Sequence, residues 1–235
     1  MRVLAVGAHP DDLEILCAGT LVRYVREGHE VVMCHVGSGD KGSTTHTREE
    51  IAAVRLREAR RAAALAGAEH RTLGLPDTEV SAADPAQRRA LVELLRQVRP
   101  DVVVTHHPDD YMGDHRQVSA LVFDTTMTAT LPLLETESRH LERIPPLFYM
   151  DTLAGIGFAP QEYVDVTAAI EVKLEMLAAH ESQCAFLSDG GARSILDEVR
   201  TVARFRGIQA GVEYAEGFVQ AHAWHRGTTR RLLPA

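Results

Sequence analysis

The segment "HPDD", residues 9–12, sets a histidine and two adjacent carboxylates within four positions, directly after the apolar run "RVLAVG". A second constellation of the same types follows the apolar run "DVVVT" at 101–105: His106, His107, Asp109, Asp110, Asp114 and His115. Imidazole and carboxylate are the donors of a catalytic zinc site, which takes three protein ligands and keeps one position open for water. His9 and Asp12, three apart on the turn out of a strand, can both bend toward one ion. The third ligand must come from elsewhere, and the second constellation supplies the candidates. A carboxylate left over can serve as base toward the water. The competing account of the tetrapeptide alone is turn chemistry, an aspartate capping a helix behind a Pro-stiffened link.

What decides between these accounts is whether the two constellations meet. Residues 2–7 form a nearly continuous apolar run, as a strand buried on both faces requires. Leu13, Leu16, Cys17, Leu21 and Val25 then follow at helical spacing, with Gly28 as a stop. "HEVVMCHVGSG" is a second strand running into a glycine-rich loop, and "TREEIAAVRLREARRAAALAG" is a long helix ending at Gly67. A short run "HRTLGL" precedes Pro76, and "DPAQRRALVELLRQVRP" is a helix with Asp84 as cap and Pro85 in its first turn. Strand 101–105 comes next. Further on, "PPLFYMD" and "EYVDV" read as strands, while 167–180 and roughly 192–208 read as helices. The alternation predicts an α/β, Rossmann-like fold: a mostly parallel sheet flanked by helices, with a smaller C-terminal αβ portion. In such a sheet ligands bind outside the carboxyl ends of the strands where strand order reverses. If the first strand is central and the fourth lies beside it, both constellations converge there.

Bulk properties fit one soluble unit. The 235 residues suit a single domain spanning 1–235, with 45% hydrophobic and 25% charged residues. A net charge of -8 leaves no footprint for nucleic acid. Three scattered cysteines, Cys17, Cys34 and Cys184, argue against a disulfide framework and for a reducing, cytoplasmic setting. No apolar run approaches a membrane span, and the first residues read as a strand rather than a cleaved leader.

The stretch "AHPDDLEILCAGT" resembles the opening motif of the PIG-L / LmbE-like family of zinc-dependent N-acetylglucosamine deacetylases. The similarity continues in "GSGDKG", "RLREARRAAALAG…LGLPD", "DYMGDHRQVSAL", "KLEMLAAHESQ" and "GVEYAEGF", in the family's order over nearly the whole chain. It implies a Rossmann-like fold and a metal-dependent amide hydrolase that removes acetyl from an N-acetylated amino sugar. It makes His9, Asp12 and His115 the ligands of Zn²⁺, with another divalent ion possible, and Asp11 the general base. Asp114 becomes a carboxylate that orients a histidine. One position departs: Met112 stands where family members often carry a histidine that stabilises the oxyanion, and Met can donate neither hydrogen bond nor proton. His107 and His180 are the candidates to replace it. The resemblance also implies a homo-oligomer, trimer or hexamer. The apolar segment 128–165, with Leu131, Leu133, Leu134, Leu147 and Phe148, offers a surface for it.

Other residues carry weaker signals. Gly37, Gly39 and Gly42 match no phosphate-binding spacing and read as a loop at the crevice rim. Arg55 is expected to bind substrate, with an exposed helix charge as the alternative and Arg48 as a competitor. Asp77, after Pro76, is expected to take sugar hydroxyls, unless it is a turn aspartate. His180 reads as a helix-end residue and Cys34 as a core residue. Two rival functions remain: a nucleotide-binding or sugar-binding module, which for nucleotides lacks the glycine-rich turn after the first strand, and a domain that has lost catalysis at Met112.

Overall fold

Strand β1 (Arg2–Gly7) is buried from Val3 onward, so alternate side chains serve two cores. Val3 and Ala5 pack on one face, and Leu4 and Val6 on the other. The computed structural model describes residues 1–188, 194–224, 226 and 232–234. Around β1 lie β2 (Glu30–Gly37), β3 (Glu69–Leu75), β4 (Val102–Thr105), β5 (Leu147–Met150), β6 (Glu162–Asp165) and β7 (Ala215–Gln220), in the order β3-β2-β1-β4-β5-β7-β6. The first five run parallel, and β7 is antiparallel to both β5 and β6. The C-terminal αβ portion therefore extends the same sheet instead of building another.

Helices α1 (Asp12–Leu16), α2 (Ala18–Arg26), α3 (Arg48–Ala66) and α6 (Ile170–Ala178) cover the face holding Val3 and Ala5. Helices α4 (Pro85–Val98) and α5 (Gly113–Thr128) cover the other. Of two more, α8 (Ile195–Ala210) packs on β7, and α7 (Glu181–Ser188) lies among α3, α6 and α8. Local signals explain the ends. Asp84 accepts from the backbone of Ala86 and Gln87, Thr47 and Glu50 form a capping box, and Gly67 closes α3 in the left-handed region.

Three expectations need correction. The single helix expected after Asp12 is broken at Cys17, whose φ/ψ of -145°/8° leaves the helical region. A remote side chain compensates: the Glu216 carboxylate of β7 accepts from the N–H groups of Gly19 (2.9 Å) and Thr20 (2.7 Å) at the start of α2. Leu147 and Phe148 belong to β5 in the chain's own core, so the exposed large apolar residues of that segment reduce to Leu131, Leu133 and Ile156. Strand β7 and helix α7 had no counterpart in the sequence reading. No helix among the described residues is long and apolar enough to cross a membrane.

Candidate metal centre and active site

Strands β1 and β4 are neighbours, and the strand order reverses between them, so the residues leaving their carboxyl ends share one crevice. From β1 come His9, Asp11 and Asp12; from β4 and the first turn of α5 come His106, Asp110, Asp114 and His115. One donor atom each of His9, Asp12 and His115 lie within 4.8 Å of one another. His9 Nδ1 is 3.5 Å from Asp12 Oδ2, and His115 Nε2 is 3.2 Å from Asp12 Oδ1. Each imidazole turns its second nitrogen outward to a carboxylate: His9 Nε2 to Asp114 at 3.0 Å, His115 Nδ1 to Asp110 at 2.9 Å. Histidines that hold metals are oriented in this way.

Two observations test whether an ion fits. His115 Nε2 is buried and has no hydrogen-bond partner, which is costly unless something else is bound there. The protonation balance points the same way. Burial pulls the His9 pKa down, yet hydrogen bonds to Asp114 and Asp12 hold it at about 11. His115 is likewise pulled down by burial and held at about 9 by Asp12 and Asp110. Burial favours the neutral Asp12 carboxyl, but His115 and His106 keep it well below the usual carboxylate range. A pocket negative enough to hold protons on two imidazoles suits a dication in their place. A second set of donors, His106, Asp110 and His115, is less available. His106 Nε2 accepts the Ala8 N–H at 2.9 Å, and the Asp110 oxygens receive His115 Nδ1 and the Met112 N–H.

Asp11 stands apart from its neighbour. Its φ of 124° is rare for a non-glycine residue, a local cost that fixes where the carboxylate points. Burial raises its pKa, and the Arg55 guanidinium opposes that rise. Arg55 Nη2 lies 3.1 Å from Asp11 Oδ2 and also donates to the Pro10 carbonyl.

The two residues expected to touch substrate are turned inward. Arg55, 4% exposed, spends its guanidinium on Asp11, Pro10 and the Gly39 carbonyl, and Asp77, 6% exposed, accepts from the N–H groups of Gly39 (2.9 Å) and Lys41 (3.3 Å). The glycine-rich loop is thereby pinned. Gly39 has φ 74°, and a Cβ there would sit 2.5 Å from the Arg55 side chain. Arg48 pairs with Asp40, whose other oxygen takes the Asp77 N–H. Met112 caps α5 without a side-chain hydrogen bond. Of its two candidate replacements, His107 packs edge-on to Tyr149 and Phe158, and His180 is fully buried.

His180 belongs to a second acid–histidine group across α1. Glu14, also fully buried, has His180 Nε2 at 3.3 Å and His35 Nε2 at 3.7 Å, and His35 Nδ1 meets His70 Nε2 at 3.2 Å. Burial would neutralise Glu14, but the two histidines hold it well below the carboxylate range. Among the described residues this group does not bring three donors within 4.8 Å. Sequence reasoning missed it, as it missed the roles of Asp110 and Glu216. Asp110 alone had a local signal, five positions before His115.

A Rossmann-like sheet with a histidine–carboxylate donor set at its switch point defines a class of α/β proteins whose crevice could hold a metal ion. The family model for GlcNAc-PI de-N-acetylases, PIG-L, matches residues 4–126, and the chain belongs to this family. It is 30% identical over 227 residues to the diacetylchitobiose deacetylase of Thermococcus kodakarensis, covering 92% of this chain and 81% of that protein. Among solved structures, the N,N'-diacetylchitobiose deacetylase of Pyrococcus horikoshii superposes with TM-score 0.82 at 27% identity, covering 94% and 83% of the two chains. The 4-carboxy-2-hydroxymuconate hydratase GalB of Pseudomonas putida matches with TM-score 0.83 at 20% identity over 98% and 99%, a likeness of fold alone.

Proposed function

We propose that the protein is a zinc-dependent N-deacetylase that releases acetate from an N-acetylated amino sugar or N-acetylglucosaminyl conjugate. The observation that carries this reading is the convergence of one donor atom each from His9, Asp12 and the buried His115 within 4.8 Å, in a chain whose relatives are deacetylases of such sugars. Because the fold also hosts a hydratase, the site and not the fold has to support the chemistry. His9, Asp12 and His115 would hold the ion; a donor set of nitrogen and oxygen without cysteine suits zinc, with iron or cobalt as alternatives. A divalent ion bound there supplies polarisation of the acetamide carbonyl and a lowered pKa for the attacking water.

The chain's own groups do the rest. Asp11 takes a proton from the water and delivers it to the departing amine. Arg55 is a positioning residue that fixes Asp11, and Asp77 holds the loop that closes over Arg55. Asp114 and Asp110 orient the two imidazoles. The test is metal analysis of the purified protein combined with acetate release from a panel of N-acetylglucosamine glycosides. Stoichiometric zinc with acetate release is expected; zinc-loaded protein that releases none from any of them refutes the reading.

The same proposal extends to the setting. Free thiols at Cys17, Cys34 and Cys184 suit a reducing, cytoplasmic compartment. Exposed Leu131 and Leu133 support a homo-oligomer, trimer or hexamer. Light scattering at micromolar concentration is expected to give a multiple of the 25.8 kDa chain mass, and a monomer mass refutes it.

A further inference from the structure

Beyond Asp12, α1 runs on for one turn, about 5.4 Å, and turns Ile15 and Leu16 into a cavity of about 260 Å³. The facing walls are Val199, Val202 and Ala203 of α8, with Leu153 and Leu187 beside them. Tyr111, which follows the Asp110 that holds His115, also lines the cavity, so its wall borders the segment that carries the candidate metal centre. The buried floor of the cavity carries charge, but these charges pair with one another. Lys173 pairs with Glu216, whose oxygens also receive Gly19 and Thr20, and Asp151 holds Arg206 at 2.6 Å and 3.1 Å. Only the Tyr111 hydroxyl and the Glu198 carboxylate, both on exposed residues, carry no hydrogen bond among the described residues.

A second sugar ring entering this space would surrender its hydrogen bonds to water and find few replacements, a cost of kilocalories per hydroxyl. A hydrocarbon surrenders none. An apolar cavity of about 150 Å³ admits benzene, so the space here takes a chain of several carbons. We propose that this cavity binds an alkyl chain carried by the amino sugar, making the substrate an amphiphile rather than an oligosaccharide. The proposal rests on the deacetylase reading for what happens at the sugar, not for what fills the cavity.

The experiment is calorimetric titration of the zinc-loaded protein, below micelle-forming concentrations, with two pairs of ligands. One pair is the methyl and hexyl glycosides of N-acetylglucosamine; the other is methyl glucosaminide bearing N-acetyl or N-hexanoyl. Each buried methylene is worth up to about fourfold in affinity, so the longer member of at least one pair is expected to bind roughly 30-fold tighter or more. The pair that responds shows where the chain is attached. Val202→Phe fills the cavity and Leu187→Asp charges its rim, and each is expected to bring that ratio toward one. Equal affinities within both pairs overturn the proposal even if acetate is released. A ratio undiminished in both variants also overturns it, because the chain then lies elsewhere. A large ratio that collapses in the variants, with neither acetate nor hexanoate released from any ligand, keeps the cavity and removes the amide-hydrolase reading.

Discussion

Two groups of buried acids and histidines flank α1, and they are built on opposite plans. In the crevice, His9 and His115 each give one nitrogen to a second carboxylate and keep the other turned toward Asp12, so donors remain for something that is not protein. Behind α1, Glu14 is enclosed by His180 and His35, fully buried, and its charge is matched within the group. Similar residue types, differently arranged, do different work: buried atoms without hydrogen bonds occur in both groups, but among the described residues only the crevice gathers three donor atoms within 4.8 Å. The first group could hold an ion, and the second ties α1 to β2 and the end of α6. An acid–histidine cluster thus signals metal chemistry where three donor atoms converge on one point, not merely where buried acids and imidazoles meet.

The largest effect is expected at the crevice. His115→Ala removes the one residue shared by both donor sets among the described residues, so metal content should fall to background and activity with it. Full metal occupancy in that variant would transfer the centre to other residues. Next comes Asp11→Asn. The amide keeps the shape and the metal but cannot accept the proton, and loss of general base catalysis is worth about 10²–10⁴-fold in kcat. Metal content and turnover measured together decide the roles. If Asp11→Asn loses the ion and Asp12→Ala keeps it, the two aspartates are exchanged.

The crevice group was legible in the sequence because each half follows a short apolar strand, and parallel sheets bring such strand ends together. His9 and Asp12 could be put forward for that reason, whereas His115 was singled out from the second constellation by the resemblance to the family. What Arg55 does was not legible. Its helical position allowed a substrate contact or a solvent-exposed charge, and only packing under Gly39 turns it onto Asp11. The group behind α1 was invisible for a stronger reason. Glu14, His35 and His180 lie on three elements far apart in sequence, and no local pattern records that they meet. The same holds for the break at Cys17, which depends on a carboxylate almost two hundred positions away in β7.

A variant of Glu14 separates the two groups. Glu14→Gln keeps the volume but removes the charge that burial made expensive and that His180 and His35 stabilise. His180, whose pKa burial lowers and Glu14 raises, would lose its counter-charge. The expected cost is about 1–3 kcal/mol, or roughly 2–4 °C per kcal/mol for a chain of this size, with metal stoichiometry unchanged. Thermal melts and metal analysis on the same sample check both halves. Loss of the ion at an unchanged melting temperature would mean that the two groups are one unit.

The smallest effect concerns the outer end of the buried group. His70 is half-buried against His35, and burial first, then the neighbouring imidazole, pushes its pKa down to about 4. An unfolded histidine titrates near 6.5. Between these values the unfolded chain binds a proton that the folded chain refuses. The stability from this residue is therefore fully present above about pH 6.5 and is lost as the pH falls toward 4. His70→Asn removes the titration and keeps a polar side chain on the strand. Between pH 6.5 and 4.5 the wild-type melting temperature is expected to fall by about 1–3 °C more than that of the variant. Parallel curves would show that acid does not enter the buried group through His70. A steeper fall in the variant would show instead that His70 shields His35 from protonation, and the boundary of the sealed region would then lie at this ring.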